Sequence, residues 1–296
     1  MSKLTVKVTG GLGNQLFKSL AGLEFAKKLN CDLFLDISWF NMKKEESDPV
    51  SPRKFEISAF PELRRAFDIL SQTQSSLFDV RLGQIMRWSN GNVISKLGYI
   101  TDSNYLRIKS GKRNYILDGN FANWRLLPPD EEVKSLLKFS FDKTAWFDEM
   151  KQSFTNSKFI AVHIRRGDYV RLPAIYDVLT LGYYLKAIEI ARQEVGNLPI
   201  VLFSDDIQEA QKWISNSFPV EFNVPNVLGE SSVEVLELMS LGTAIVCAHS
   251  TFSWWSAKIG SLAKSTNCVV IPSRFFSHGS QVNHDLRVPS WKIVDV

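Results

Sequence analysis

The spacing of apolar and polar positions changes character along the chain. Leu4 to Val8 is short and β-branched, Gly10 to Gly13 is a glycine turn, and Leu16, Leu20, Leu23 and Phe25 begin a helical stripe. Asp32 to Asp36 reads as a second buried strand. Between Asn41 and Pro61 the period is lost among Pro49, Pro52, Pro61 and mixed charges, which predicts loops and short helices. Tyr115 to Leu117 predicts a further strand, followed by the polar-aromatic turn GNFANW. Pro128 and Pro129 introduce a helix running through Lys138.

From Phe159 the alternation becomes regular. Apolar strands are predicted at Phe159 to Ile164, Ile200 to Phe203, Val220 to Val224, Ala244 to Cys247 and Cys268 to Ile271. Helices separate them at Tyr183 to Glu194, Ile207 to Phe218, Ser232 to Leu241 and Ser253 to Leu262, the third opened by a capping box of Ser231 with Glu234. Strands alternating with helices imply parallel sheets covered on both faces, with ligands bound beyond the carboxyl ends of the strands. No internal repeat or low-complexity segment interrupts this order.

A chain of 296 residues with 45% apolar content can fill two cores, and we expect one domain over residues 1–150 and a second over 151–296. The net charge of +4 is mild and no run of five like charges occurs, so nucleic acid is not the expected partner. Such an excess still favours anionic ligands or peripheral contact with an anionic membrane face. Cys31, Cys247 and Cys268 are odd in number and lie in apolar surroundings, which reads as buried free thiols in a reducing cytoplasm. No segment has the uninterrupted apolar length of a spanning helix, and the first residues lack a signal-like core.

Candidate chemistry gathers just past the predicted strands. Gly10-Gly11-Leu12-Gly13-Asn14-Gln15 lets the backbone approach a ligand and offers helix N–H groups to an anion. It lacks the Lys-Ser or Lys-Thr pair of a P-loop, and Leu16 stands where a dinucleotide fingerprint needs its third glycine. With Asp36 as a ribose-binding acid, a Rossmann-type NAD-dependent oxidoreductase stays an alternative. So does a purely structural turn.

In His163-Ile164-Arg165-Arg166-Gly167-Asp168 an apolar strand ends in two arginines. Period 2 puts His163 and Arg165 on one face, and paired guanidinium forks suit a phosphate. Asp168 could instead pair with Arg165 or Arg166 as a surface ion pair. After the next strand, Ser204 or Asp205 could cap a helix, or Asp205 and Asp206 could hold a nucleoside; adjacent carboxylates without a nearby His or third acid fit a metal poorly. Ser250, Thr251 and Phe252 open a helix whose hydroxyls either cap it or bind a diphosphate. Trp254 and Trp255 diverge on a helix, so at least one belongs to the core.

With GGLGNQLF (Gly10 to Phe17), HIRRGDYV (His163 to Val170), FSDD (Phe203 to Asp206) and ELMSLGTAIVCAHSTFSWWSAKI (Glu237 to Ile259), the sequence resembles the α-1,2-fucosyltransferase family across nearly its whole length. The resemblance implies a GT-B fold: α/β, two Rossmann-like domains with parallel sheets facing a cleft, the first on the acceptor side and the second binding donor. It implies inverting transfer of L-fucose from GDP-β-L-fucose to the 2-hydroxyl of a terminal β-galactose, without cofactor or metal. Another nucleotide-sugar donor is the competing glycosyltransferase reading. By the resemblance, Arg165 and Arg166 meet the diphosphate, and His163 and Asp206 the nucleoside. Ser250, Thr251 and Phe252 surround the β-phosphate, while Gly13, Asn14 and Gln15 close the cleft. Related α-1,6 enzymes carry a Glu shortly after the motif aspartate, whereas Tyr169 to Ile175 holds no acid; Asp168 is the candidate base, with an acid of the N-terminal domain or a water relay as the alternatives.

Overall fold

The computed structural model describes residues 2–41, 53–70, 98–166, 179–216, 218, 220–225, 231–275 and 285–296. The chain divides into two compact units. The first comprises Met1–Glu46, Pro52–Ser140 and Gln281–Leu286, and the second Ser47–Ser51, Phe141–Ser280 and Arg287–Val296.

In the first unit, β1 (Ser2–Lys7), α1 (Leu12–Leu29), β2 (Cys31–Asp36), α2 (Pro61–Arg64), β3 (Asp68–Ile69), β4 (Tyr99–Ile100), β5 (Asn114–Leu117) and α3 (Asp130–Leu136) follow one another. All strand pairs are parallel, in the order β3-β2-β1-β5-β4. Leu4 and Val6 of β1 and Leu16, Phe17, Leu20 and Ala21 of α1 are fully buried, so the helix lies on the sheet with little space between them. Gly22 marks the tightest approach: a Cβ there would stand 2.6 Å from Val6 Cγ2. The helix ends at Asn30, whose left-handed backbone (φ 52) returns its N–H to the carbonyls of Ala26 and Lys27.

The second unit contains α4 (Ala145–Thr155), β6 (Ile160–Ile164), α5 (Leu181–Val195), β7 (Ile200–Ser204), α6 (Ile207–Ser215), β8 (Val220–Pro225), α7 (Ser232–Ser240), β9 (Ala244–Val246), α8 (Thr251–Ala263), β10 (Cys268–Pro272) and β11 (Lys292–Val294). Its six strands are also all parallel, in the order β11-β10-β9-β6-β7-β8. Ile160, Val162 and Ile164 of β6 share one core with Tyr183, Tyr184, Ala187, Ile188 and Ala191 of α5. By the pleat, Ala161 and His163 point to the other face. Trp254 and Trp255 are both fully buried, 5.0 Å apart edge to face, and Trp254 also packs on Trp291.

Several expectations shift. The first unit ends at Ser140 rather than at residue 150, because α4 buries Phe147 and Phe154 in the second unit, Phe154 stacking on Phe159 and Phe203. The capping box at α7 does not form. The Ser231 side chain caps nothing, and Glu234 is fully buried, its Oε1 accepting from the Thr144 N–H (2.7 Å) and its Oε2 from the Thr144 hydroxyl (3.2 Å). Thr144 in turn caps α4 by accepting from Phe147 N (3.1 Å), so the acid serves a neighbouring helix rather than its own. Helix α8 starts at Thr251, ahead of the expected Ser253, since Ser250 provides the cap. Strand β11 escaped notice because only Val294 of its three residues is buried.

Gly22→Ala tests the packing of α1 on β1. The gain in helix propensity is about 1 kcal/mol, whereas a methyl forced against buried Val6 costs roughly 1–3 kcal/mol. We therefore expect net destabilisation, seen as a lower denaturant midpoint with an unchanged m-value. A stabilised variant would mean the helix shifts freely.

Candidate active site

Ligands in open parallel sheets bind at the carboxyl edge, where the strand order reverses. In the second unit the order reverses between β6 and β9. His163 and the two arginines end β6, Ser204 to Asp206 end the adjacent β7, and His249 to Phe252 follow β9. The topology thus brings three sequence-distant segments to one edge.

His163 is 1% exposed, and among the described residues neither of its ring nitrogens has a hydrogen-bond partner. Its ring lies 5.9 Å from that of Phe252 in the first turn of α8. Burial, helped by the nearby Arg165 charge, pushes its pKa down to about 3, so the imidazole is neutral at physiological pH. A neutral imidazole offers one N–H donor and one acceptor. Two such buried, unmatched atoms at a switch point are what a polar ligand edge would satisfy.

The arginines are held from behind. Asp205 Oδ1 accepts from the Arg166 backbone N–H (2.9 Å), and its Oδ2 forms a 2.9 Å ion pair with Arg165 Nη1, although that N–H is not aimed squarely at the oxygen. Both side chains are largely buried, at 12% exposure for Arg165 and 6% for Asp205. The Tyr184 hydroxyl, raised above its ordinary pKa by burial, hydrogen-bonds the Arg165 backbone. The Arg166 guanidinium stacks on Trp213 of α6 at 4.2 Å from the ring centroid, and its Nε is 3.7 Å from Asp206 Oδ2. Asp205 therefore faces both arginines. Asp206, at 45% exposure, is the N-cap of α6 through a long bond from Glu209 N (3.4 Å), and Ser204 Oγ accepts from Asp206 N (3.0 Å).

On the β9 side, Ser250 caps α8 by accepting from Phe252 N (3.2 Å), so the capping role is real; Thr251 and Phe252 form the first turn. The positive end of a 13-residue helix therefore sits at the same edge as the arginines. In the first unit, Gly11 precedes α1 and its carbonyl receives the N–H groups of Asn14 and Gln15 (3.0 and 3.1 Å), with Gly13 buried between them. Gln15 is fully buried and its amide is occupied: Nε2 donates to Gly10 O (3.1 Å) and Lys54 O (2.7 Å), while Oε1 accepts from Glu56 N (2.9 Å). It ties the glycine turn to the segment beyond Arg53. Asp168 lies outside the described residues. Trp213 and Tyr184 were not singled out in the sequence, since neither carries a local pattern that announces an arginine neighbour. Among the described residues no group of three His, Cys, Asp or Glu could hold a metal ion, and no helix is long and apolar enough to cross a membrane.

Residues 145–291, which hold this whole edge, match the family described as glycosyl transferase family 11. Relatives of the chain include the O-antigen biosynthesis glycosyltransferase WbnK of Escherichia coli, 28% identical over 96% of this chain and 98% of its own length. An α-1,2-colitosyltransferase of Escherichia coli is 26% identical over 87% of each chain. Among solved structures, the fucosyltransferase NodZ from Bradyrhizobium superposes with a TM-score of 0.54 at 17% identity, covering 86% of this chain and 92% of its own. A further NodZ structure, an α-1,6-fucosyltransferase co-crystallised with GDP, gives the same TM-score at 16% identity. The fold is thus the α/β GT-B class of these fucosyltransferases.

Two predictions follow from the buried groups. His163 has a folded pKa of about 3 against an unfolded value near 6.5. Between those values only the unfolded chain holds the proton, so stability present above pH 6.5 falls as pH drops, by about 1.4 kcal/mol per unit. Between pH 7 and pH 5 the wild type should lose about 2 kcal/mol more than His163→Phe in urea titrations; equal losses would show a protonatable, solvated ring. Asp205→Ala removes a buried carboxylate facing the Arg165 guanidinium and the Arg166 N–H and should cost roughly 3–5 kcal/mol. Asp205→Asn keeps one acceptor oxygen and should cost visibly less.

Proposed function

We propose that the protein is a galactoside α-1,2-fucosyltransferase, moving L-fucose from GDP-β-L-fucose to the 2-hydroxyl of a terminal β-galactose with inversion. The observation that carries this reading is the braced pair Arg165 and Arg166 beside the N-terminus of α8 at the β6/β9 switch point. Breaking the sugar–phosphate bond builds negative charge on the departing GDP. Fixed cations and helix N–H dipoles stabilise that charge in place of a metal ion.

In this reading Arg165 and Arg166 bind the diphosphate, and Ser250, Thr251 and Phe252 line the β-phosphate. His163, with its two unmatched nitrogens, meets the nucleoside together with the exposed carboxylate of Asp206. Gly13, Asn14 and Gln15 of the first unit, the acceptor-side domain, and Asp205 of the second are the further donor-binding candidates. The acceptor oxygen attacks the anomeric carbon as the bond to GDP breaks, and its proton passes to a base, for which Asp168 is the candidate. Neither cofactor nor metal takes part, and the enzyme works in the cytoplasm with peripheral contact to the membrane. The name of the colitosyltransferase relative favours a second reading, transfer of colitose by the same edge.

The deciding experiment incubates purified protein with GDP-fucose and a panel of β-galactosides in excess EDTA, following GDP release and the linkage formed. An α-1,2-fucosylated product is expected. Activity only with a colitosyl donor would select the second reading, and activity restored by manganese or magnesium would overturn the metal-free one. Arg166→Lys should lower kcat by about 10²- to 10³-fold, more than it weakens GDP binding, because an ammonium cannot reproduce the fork. Near-normal kcat with a lowered melting temperature would make Arg166 structural.

A further inference from the structure

The loop before β5 is strongly cationic. From Ser103 to Leu117 there is no acidic residue, yet Arg107, Lys109, Lys112 and Arg113 fall within it. Several other surface cations are matched to acids: Lys27 to Glu24 and Glu132, Arg65 to Glu62, Lys151 to Glu237, Lys292 to Glu194. Lys109, Lys112 and Arg113 have no ion-pair partner among the described residues. Lys109 and Arg113 are exposed and Lys112 half-buried.

Next to them stands Leu106, 76% exposed, the most exposed large apolar side chain among the described residues. Ordinary surfaces carry single exposed leucines, so Leu106 alone means little; beside Lys109, Lys112 and Arg113 it completes an amphipathic pair. The loop is also built to keep its shape. The buried Tyr115 hydroxyl donates to Lys109 O (3.0 Å) and accepts from Lys112 N (2.9 Å), clamping the turn across Ser110 and Gly111, where Gly111 takes φ +98. Arg113 O accepts from Lys3 N (3.0 Å) at the start of β1, which fixes the loop to the amino end of the sheet. The glycine turn lies at the opposite, carboxyl end of β1.

We propose that the loop from Leu106 to Arg113 is a docking surface for an anionic phospholipid membrane, its cations meeting headgroup phosphates and Leu106 entering the acyl boundary. Cations near such a surface each strengthen partitioning, and an adjacent apolar side chain adds a term that salt does not screen. A soluble polyanion would use the cations and leave Leu106 idle. This names the surface for the peripheral contact proposed above and is independent of which sugar is transferred.

Co-sedimentation with phosphatidylcholine vesicles, with and without phosphatidylglycerol as a minor component, tests it. The protein should pellet with the anionic vesicles only, and raised salt should weaken this partly. Replacing Lys109, Lys112 and Arg113 together by Gln should weaken partitioning about 100-fold, from about fivefold for each cation. Leu106→Ser should weaken it several-fold at unchanged charge while leaving retention on immobilised heparin as it was. Wild-type-like pelleting of the triple variant, equal pelleting with neutral vesicles, or heparin retention without vesicle binding would each overturn the proposal. Melting temperature and GDP release on a soluble galactoside should be unchanged in both variants. Vesicle binding without any fucosyl transfer would sink only the donor and acceptor assignment.

Discussion

The parallel pairing of β6 with β9 is the constraint on which the second unit depends. Parallel strands need long crossovers, so two strands that are adjacent in the sheet are far apart in the chain. Ile160 pairs with Ala244 and Val162 with Val246, and this register alone sets the arginine segment beside the start of α8. Both faces of β6 are buried, one against α5 and the other bearing His163. Any slip in register would carry His163 into the α5 core and the aliphatic residues to the ligand edge. Correct pairing is therefore a condition of the chemistry as well as of stability.

At that edge the protein must keep two like charges together without a ligand. Asp205 does so with both carboxylate oxygens, one on the Arg166 backbone and one on the Arg165 guanidinium. Trp213 covers one face of the Arg166 fork without consuming its N–H groups. The result is a cationic pair fixed in advance by its neighbours. Such preorganisation is worth more at a leaving group than raw affinity, since nothing has to be reordered as charge develops.

Much of this was legible from the chain. The regular alternation after Phe159 announces the second sheet, and HIRRGD at a strand end announces the cationic edge, because an apolar strand closed by two arginines needs an anion. Less legible were the roles decided by tertiary geometry. Asp205 and Asp206 are equivalent as letters; only the turn after β7 aims one at the arginines and leaves the other as a helix cap. Glu234 fits a capping box by spacing, yet Thr144 from a distant segment supplies better donors to a fully buried carboxylate. Gln15 sits in a motif that looks ligand-facing, and its burial shows that part of the motif holds the turn itself together. Short strands such as β3 and β11 carry too few residues to show a period.

The three free cysteines give each unit its own reporter of local opening. Cys247 and Cys268 bound the centre of the second sheet and are buried, their thiols pushed up to about 12 and about 11 by loss of solvation; Cys31 lies half-exposed in the first unit. Because only a thiolate reacts, the two buried groups stay silent toward alkylating reagents until the strands around them separate. The time course of their modification under native conditions therefore reads the opening free energy of the arginine-bearing sheet. A bound ligand that knits β6 to α8 would slow that clock while leaving Cys31 on its own.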